Sequence, residues 1–482
     1  MRPVINILEE ELKEKVVVEA IEILEEIGFF VENHEAVEIL QKEGISVDIE
    51  KRRAKLPADL IKKSLKSAPS SIFLYDREGM GVTKLEGDNV CFDPGSAALN
   101  VLDPETNEIR SAITKDFIDF TKVVEQLEYI HAQSTAIICS DVPEQVGDRY
   151  RLYLALIYSK KPIVTGTFAK ESFEIMKDML VSIRGSEEEL RKKPLAIFDA
   201  CPSPPLKWSD LTCQSIIDCA KYSIPSEFVS MPMTGANAPV TLLGAIVQHA
   251  AETLAGLVIT QLVSPGAPVI WGGSPAAFDM RKGTMYLASV DTILIDLGYT
   301  EIGKYLNLPT HAYLGMSDGK ILDAQSGFES GMGALLAGIK GVNMISGAGM
   351  MNFESTQSIQ KVVIDNEIAG MTYKFINGII QRDEPIAKDL LIDLEEKTHL
   401  LSHDHTLKWF REEHYIPSLV VDRATNEEWI NTGRKTIGDR AKERAEKLIS
   451  KYPGVTLEND VIKDLTNIMK YKDIDFRKNL DF

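Results

Sequence analysis

Cysteine is sparse in this chain: five in 482 residues, an odd number scattered without close pairs. That excludes a disulfide framework and the paired thiolates of a structural zinc site, and it fits a reducing compartment. Cations are also scarce, with 53 Lys and Arg against 72 Asp and Glu and a formal net charge of -19. An acidic surface repels phosphate backbones, so no nucleic-acid partner is expected. The opening Met1-Arg2-Pro3-Val4 runs into acidic residues near Glu9 with no apolar core of a signal peptide, so a cytoplasmic location is expected. The longest apolar stretch, Pro239 to Leu262, is interrupted by Gln248, His249, Glu252 and Gln261 and follows a strand in a repeating series. It reads as a buried helix and not as a membrane span.

What is present is a recurring pattern of short apolar runs, each flanked by Gly or Pro and followed by a long helical pattern. Runs begin near Val90, His131, Pro162, Pro194, Ser226, Pro268, Pro309 and Gly341, at spacings of roughly 31 to 42 residues. Eight consecutive strand-helix units predict an α/β fold, a TIM (β/α)8 barrel. Residues 1-85 read as an N-terminal helical cap, opening with an amphipathic stripe through Leu12, Val16, Val17, Ala20, Ile21, Leu24 and Ile27 that ends at Gly28. Residues 86-372 read as the barrel, with Thr114 as a helix N-cap, and 373-482 as a C-terminal helical extension packed on it. A homo-oligomer is expected.

Barrel active sites lie at the C-terminal ends of the strands, so residues just past each apolar run are the candidates. They are Asp93 and Ser96; Ser140 and Asp141; Thr165 and Thr167; Asp199 and Cys201; Met231, Met233 and Asn237; Trp271 and Ser274; Tyr313, Ser317 and Asp318; and Ser346 to Met350. Aromatics join them at Phe92, Phe168, Phe198, Trp271 and Phe353. A mouth rich in carboxylates and rings and poor in cations suits an apolar cation, unless the rings merely fill the barrel.

Other patterns carry less. His249 and Glu252, three apart on one helix, read as a structural pair, and His403-Asp404-His405 as exposed histidines in a connection. No metal site is expected. Gly347-Ala348-Gly349 resembles a phosphate cradle without the following lysine, and tight packing also demands glycine. Asp323 reads equally as an N-cap or a functional acid, with Gln325 and Glu329 on one helix face beyond it. Lys320 is a Schiff-base candidate only if desolvated.

The stretches MPMTGANAPVTLLGAIVQHAAETLAG, GAPVIWGG with FDMRKG, and SDGKILDAQSGFE resemble the trimethylamine methyltransferase family, from the N-terminal helices to roughly Gly370. The resemblance implies a corrinoid-dependent TIM-barrel enzyme that moves a methyl group from a methylated amine to the Co(I) corrinoid of a separate small protein. No tightly bound cofactor is expected, because no segment supplies a metal-ligand spacing or a cofactor motif; the corrinoid would arrive on its partner. The family's founding members carry pyrrolysine, whereas every residue here is standard, as in the branch that demethylates quaternary amines such as glycine betaine, proline betaine or carnitine. On that reading Asp318, Gln325 and Glu329 are the catalytic candidates. Phe92, Asp93, Phe198, Trp271, Arg281, His311, Tyr313 and Phe353 would bind substrate, with Arg281, His311 or Lys320 facing any carboxylate. Met231, Asn237, Ser317, Ser346, Gly347 and Gly349 would face the corrinoid. Two rivals stand beside it: a barrel lyase or aldolase using Lys320 with a phosphate at Ser346 to Gly349, and a noncatalytic betaine-binding protein.

Overall fold

The structure, a computed structural model, describes residues 2-95, 97-394, 399-454, 457-472 and 474-480. The apolar runs form eight parallel strands: β1 (Cys91–Phe92), β2 (Gln133–Ser134), β3 (Ile163–Gly166), β4 (Ala196–Ala200), β5 (Ser226–Ser230), β6 (Val269–Gly273), β7 (His311–Ala312) and β8 (Met344–Ile345). Strands β2 to β6 pair in sequence order, and β7, β8 and β1 pair in turn. A bridge between Trp271 and Thr310 joins the two groups. The amides of His131 and Ala132 both donate to the Phe92 carbonyl, at 3.0 and 3.3 Å, and close the circle.

Eight helices cover the strands: α1 (Thr114–Glu125), α2 (Gly147–Tyr158), α3 (Lys170–Arg184), α4 (Asp210–Tyr222), α5 (Leu242–Val263), α6 (Val290–Tyr305), α7 (Ala324–Lys340) and α8 (Ile359–Ile376). The expected barrel is therefore present, with strands where the apolar runs begin. Thr114 is the first helical residue and not the cap; its amide and hydroxyl both donate to Asp141 Oδ1 at 2.9 Å, so Asp141 supplies the capping oxygen. Helix α5 is the one described helix long and apolar enough to cross a membrane, and it is mostly buried inside the protein. It is apolar all round because helices Glu10–Glu26, His34–Lys42 and Ala58–Ser67 lie over the side that an ordinary barrel helix turns to water. Trp208 packs so tightly on α5 that a Cβ on Gly256 would fall 2.2 Å from its ring, and its Nε1 donates to the Glu252 carbonyl at 2.9 Å.

The N-terminal segment is not purely helical, as its sequence pattern led us to expect. Short strands at Phe29–Val31, Val47–Asp48 and Arg53–Ala54 form a small sheet with Lys207–Trp208, and Ile72–Tyr75 pairs with Gly81–Leu85 as a hairpin. That hairpin alternates, with Ile72 and Leu74 buried and Phe73 exposed. Ile72, Leu74 and Leu85 pack against Cys91, Ala132, Val164, Ile197, Ile270 and Met344, the inward residues near the strand starts. The N-terminal end of the barrel is thus stoppered with hydrocarbon, and polar chemistry is confined to the other end. Toward the C-terminus, Ile437–Ser450 packs on α8 and α1, and Asn459–Ile468 on α3 and α2.

Candidate active site

Side chains alternate across a strand, so two residues beyond each apolar inward position the chain again points into the barrel. Following Cys91, Ile197, Ile270 and Met344, those positions are Asp93, Asp199, Gly272 and Ser346; Glu227 and His311 complete the layer. A middle layer this polar is costly to bury unless its members satisfy one another. They do so in part: Ser346 Oγ donates to Asp93 Oδ1 and lies 2.9 Å from His311 Nε2, whereas Glu227, whose Oε1 is 3.3 Å from that nitrogen, and Asp199 Oδ1 are buried without a hydrogen-bond partner among the described residues. Asp93 Oδ2 accepts from the Gly95 amide at 2.9 Å.

Burial pushes Asp93 up to about 7, against the opposing pull of Ser346 and Gly95. Asp199 and Glu227 also rise, first through burial and then through the charge of neighbouring carboxyls. Burial drives His311 down to about 3, so the ring is neutral at neutral pH and adds no positive charge.

Above this layer opens a cavity of about 290 Å³, lined by Asp199, Glu354, Tyr313, Phe168, Met231, Val229, Cys201 and Ser274, with Ala97 after β1, Gly166 and Thr167 at the end of β3, and the first turns of α4 completing the wall. Ser274 Oγ donates to Glu354 Oε1 at 2.7 Å, yet burial still lifts Glu354 to about 7. The loop that carries Glu354 holds Asn352, Phe353 and Glu354 all at positive φ, +51°, +57° and +62°. Three successive side-chain-bearing residues in that region are strained, and such strain concentrates at functional sites. Among the described residues, no Lys or Arg lines the cavity.

Of the residues expected from the sequence, Asp93, His311 and Ser346 come together in the middle layer, and Tyr313 and Met231 in the cavity wall. Ser346 lies within the barrel and is not positioned to face a docked corrinoid. Phe92, Phe198 and Trp271 are corrections: each is on the opposite phase of its strand and packs into the helix layer. Phe92 meets Tyr373 of α8 edge-on, Phe198 meets Phe173 of α3, and Trp271 Nε1 donates to the Tyr299 carbonyl of α6 at 3.0 Å. Arg281 sits after strand Ala276–Asp279 with an 83% exposed side chain paired to Asp279, away from the cavity.

The three catalytic candidates fix a loop. Glu329 accepts from Ser317 Oγ at 2.6 Å, from the Asp318 amide at 2.9 Å and from Gln325 Nε2 at 2.9 Å. Asp318 Oδ2 accepts the amides of Leu287 and Ala288 at 3.0 Å, and Gln325 is exposed. Asp323 caps α7. Lys320 is exposed, donates to the Asp318 carbonyl at 2.7 Å and lies 3.9 Å above the Phe353 ring. Asn237 closes its own loop by accepting from the Met233 amide at 2.7 Å. Gly347 packs against Met316, and the Gly349 amide is taken by Asp365 at 2.7 Å, so the glycines serve packing and leave no phosphate cradle. Ser96 lies outside the described residues.

His249 and Glu252 are structural, as expected. His249 stacks on Tyr299 with centroids 4.1 Å apart, and Glu252 accepts from Ser230, Leu206 and Gln248. Two acids were missed. Glu227 was detectable as a charge at an inward position of an apolar strand, in Ser226-Glu227-Phe228-Val229; Glu354 had no comparable signal, since its placement depends on the left-handed turn.

With that geometry in view, the comparisons are consistent. The family model described as trimethylamine methyltransferase (MTTB) matches residues 1–476. The chain is 32% identical over 464 residues to trimethylamine methyltransferase MttB of Methanosarcina barkeri (strain Fusaro), covering 95% of this chain and 93% of the relative. It is 30% identical over 450 residues to MttB of Desulfitobacterium hafniense (strain DSM 10664), covering 93% and 90%. To a glycine betaine methyltransferase of Desulfitobacterium hafniense (strain Y51) it is 28% identical over 461 residues, 95% of each chain. The solved Methanosarcina barkeri monomethylamine methyltransferase (MtmB) shares the fold, with a TM-score of 0.52 at 12% identity over 93% of this chain and 89% of that one. The chain belongs to the trimethylamine methyltransferase family of enzymes.

Proposed function

We propose that this methyltransferase takes a methyl group from a quaternary amine, betaine-like in class, and passes it to the Co(I) corrinoid of a small partner protein. The observation that carries the reading is the cavity: Asp199 and Glu354 with the Phe168 and Tyr313 rings, and no Lys or Arg in the wall among the described residues. Rings and carboxyl groups attract an ammonium that cannot donate a hydrogen bond, at roughly 0.5 to 2 kcal/mol per ring contact. Exposed Phe168, Met231, Val240 and Met280 offer an apolar surface suited to a flat macrocycle. The corrinoid, when docked, supplies the Co(I) nucleophile. The chain's part is to hold the ammonium, orient one methyl toward the opening and exclude water. The leaving group is a neutral tertiary amine and needs no proton.

A second reading rests on a specific feature. Burial keeps Glu354 and Asp199 partly protonated near neutral pH, and a neutral carboxyl could protonate an amine leaving from trimethylamine. The lyase reading has no support in the site, since Lys320 is exposed and the glycine-loop amides of Ala348, Gly349 and Met350 are already bonded. Calorimetric titration with choline and with its uncharged isostere 3,3-dimethylbutanol tests the cation site. Choline is expected to bind and the isostere not; equal binding would contradict an ammonium site.

A further inference from the structure

One cation stands behind the cavity wall, and the proposed reaction leaves it unused. Arg151, in α2, is fully buried. Its Nη1 donates to the Thr135 carbonyl at 2.5 Å, while Nε and Nη2 have no partner among the described residues. The guanidinium carbon lies 4.5 Å from the centre of the Phe168 ring, and Phe168 is a cavity-wall residue 45% exposed. A ring of the cavity wall therefore covers the guanidinium face. Beside Phe168, Gly166 has no side chain, and a Cβ there would lie 3.6 Å from Asp199 Cβ. Asp199 Oδ1 is also buried without a partner. Two unsatisfied groups thus flank the same side of the cavity.

Idle buried N–H groups are costly, and the acceptor that matches the fork of a guanidinium is a carboxylate. A free anion would meet the acidic groups Asp93, Asp199, Glu227 and Glu354 on entry. A carboxylate joined to an ammonium carries no net charge and satisfies both sides of the site. We infer that Arg151 receives the substrate's carboxylate when the Phe168 ring swings aside, so that the site selects zwitterionic ammonium carboxylates. The inference rests on the ammonium reading of the same cavity, and it replaces Arg281, His311 and Lys320 as the carboxylate's partner.

The test is calorimetric titration of the full chain with trimethylammonio carboxylates of one to three methylenes, each beside its methyl ester, with tetramethylammonium as reference. The ester keeps the ammonium and loses the negative charge. For the best of the series the acid is expected to bind about thirtyfold tighter than its ester. In Arg151→Gln that ratio should fall to about one, and in Arg151→Lys, which keeps the charge but loses the fork, to an intermediate value. An acid-to-ester ratio near one in the unmodified protein overturns the inference even if no variant folds, and so does a ratio preserved in either variant. Tetramethylammonium failing to bind sinks the ammonium reading itself; its binding while acid and ester bind equally sinks only the role of Arg151.

Discussion

At the scale of single residues, the site turns on carboxyl groups whose protonation burial has shifted. Glu354 is raised to about 7, so its ionised fraction, and with it the attraction for a cation, grows as pH rises through that value. Binding of tetramethylammonium should therefore strengthen by about tenfold between pH 6 and 8, and Glu354→Gln should flatten the profile and weaken binding at pH 8. A flat profile in the unmodified protein would separate Glu354 from the cation. The same shifts govern the empty protein's stability, with the opposite sign. Asp93 has a folded value of about 7 against about 3.9 unfolded, so the native state holds the extra proton and the contribution is fully present below pH 4. It is lost as pH rises from 4 to 7, on the order of 1 to 4 kcal/mol, and urea unfolding across that range should show stability falling. Lys320, by contrast, should be dispensable: borohydride added with substrate should trap no adduct, and Lys320→Ala should keep methyl transfer.

At the scale of elements, strand phase decides which residues serve packing and which serve the site. Trp271 occupies the outward phase of β6, its ring tilted against His249 with centroids 5.6 Å apart, and is bonded to α6. Trp271→Ala should cost about 3 to 5 kcal/mol in chemical denaturation while leaving ammonium affinity near the original value. Leu74, in the hairpin that stoppers the barrel, should cost about 2 to 5 kcal/mol as Leu74→Ala. The strands and their order were legible in the sequence, because apolar runs bounded by Gly and Pro repeat at unit length. Strand phase was equally available and went unread: Phe92, Phe198 and Trp271 stood out for their size, although Asp93, Asp199 and Gly272 one step on hold the inward phase. The loop from Ser317 to Glu329 drew attention by its density of polar groups. A long loop that must satisfy buried amides needs such groups for itself, as Asp318 and Glu329 show. Glu354 and Arg151 were beyond reach, since a left-handed turn places the first and the packing of helix α2 against the Phe168 loop sets the second behind the cavity wall.

At the scale of the whole molecule, hydrocarbon closes one end of the barrel, an acidic hydrogen-bonded layer crosses its middle, and an aromatic, cation-poor cavity opens at the other end. That gradient is what methyl transfer from a fixed ammonium calls for: charge to hold the donor and an apolar opening through which one methyl group is presented. The most direct measurement of the proposed function is the loss of Co(I) absorbance when the protein is mixed with a reduced candidate corrinoid protein and a panel of methylated amines in excess. The account predicts rapid loss with one or more quaternary amines and none above background with trimethylamine, dimethylamine or monomethylamine; trimethylamine turned over as fast as the best quaternary amine would contradict it.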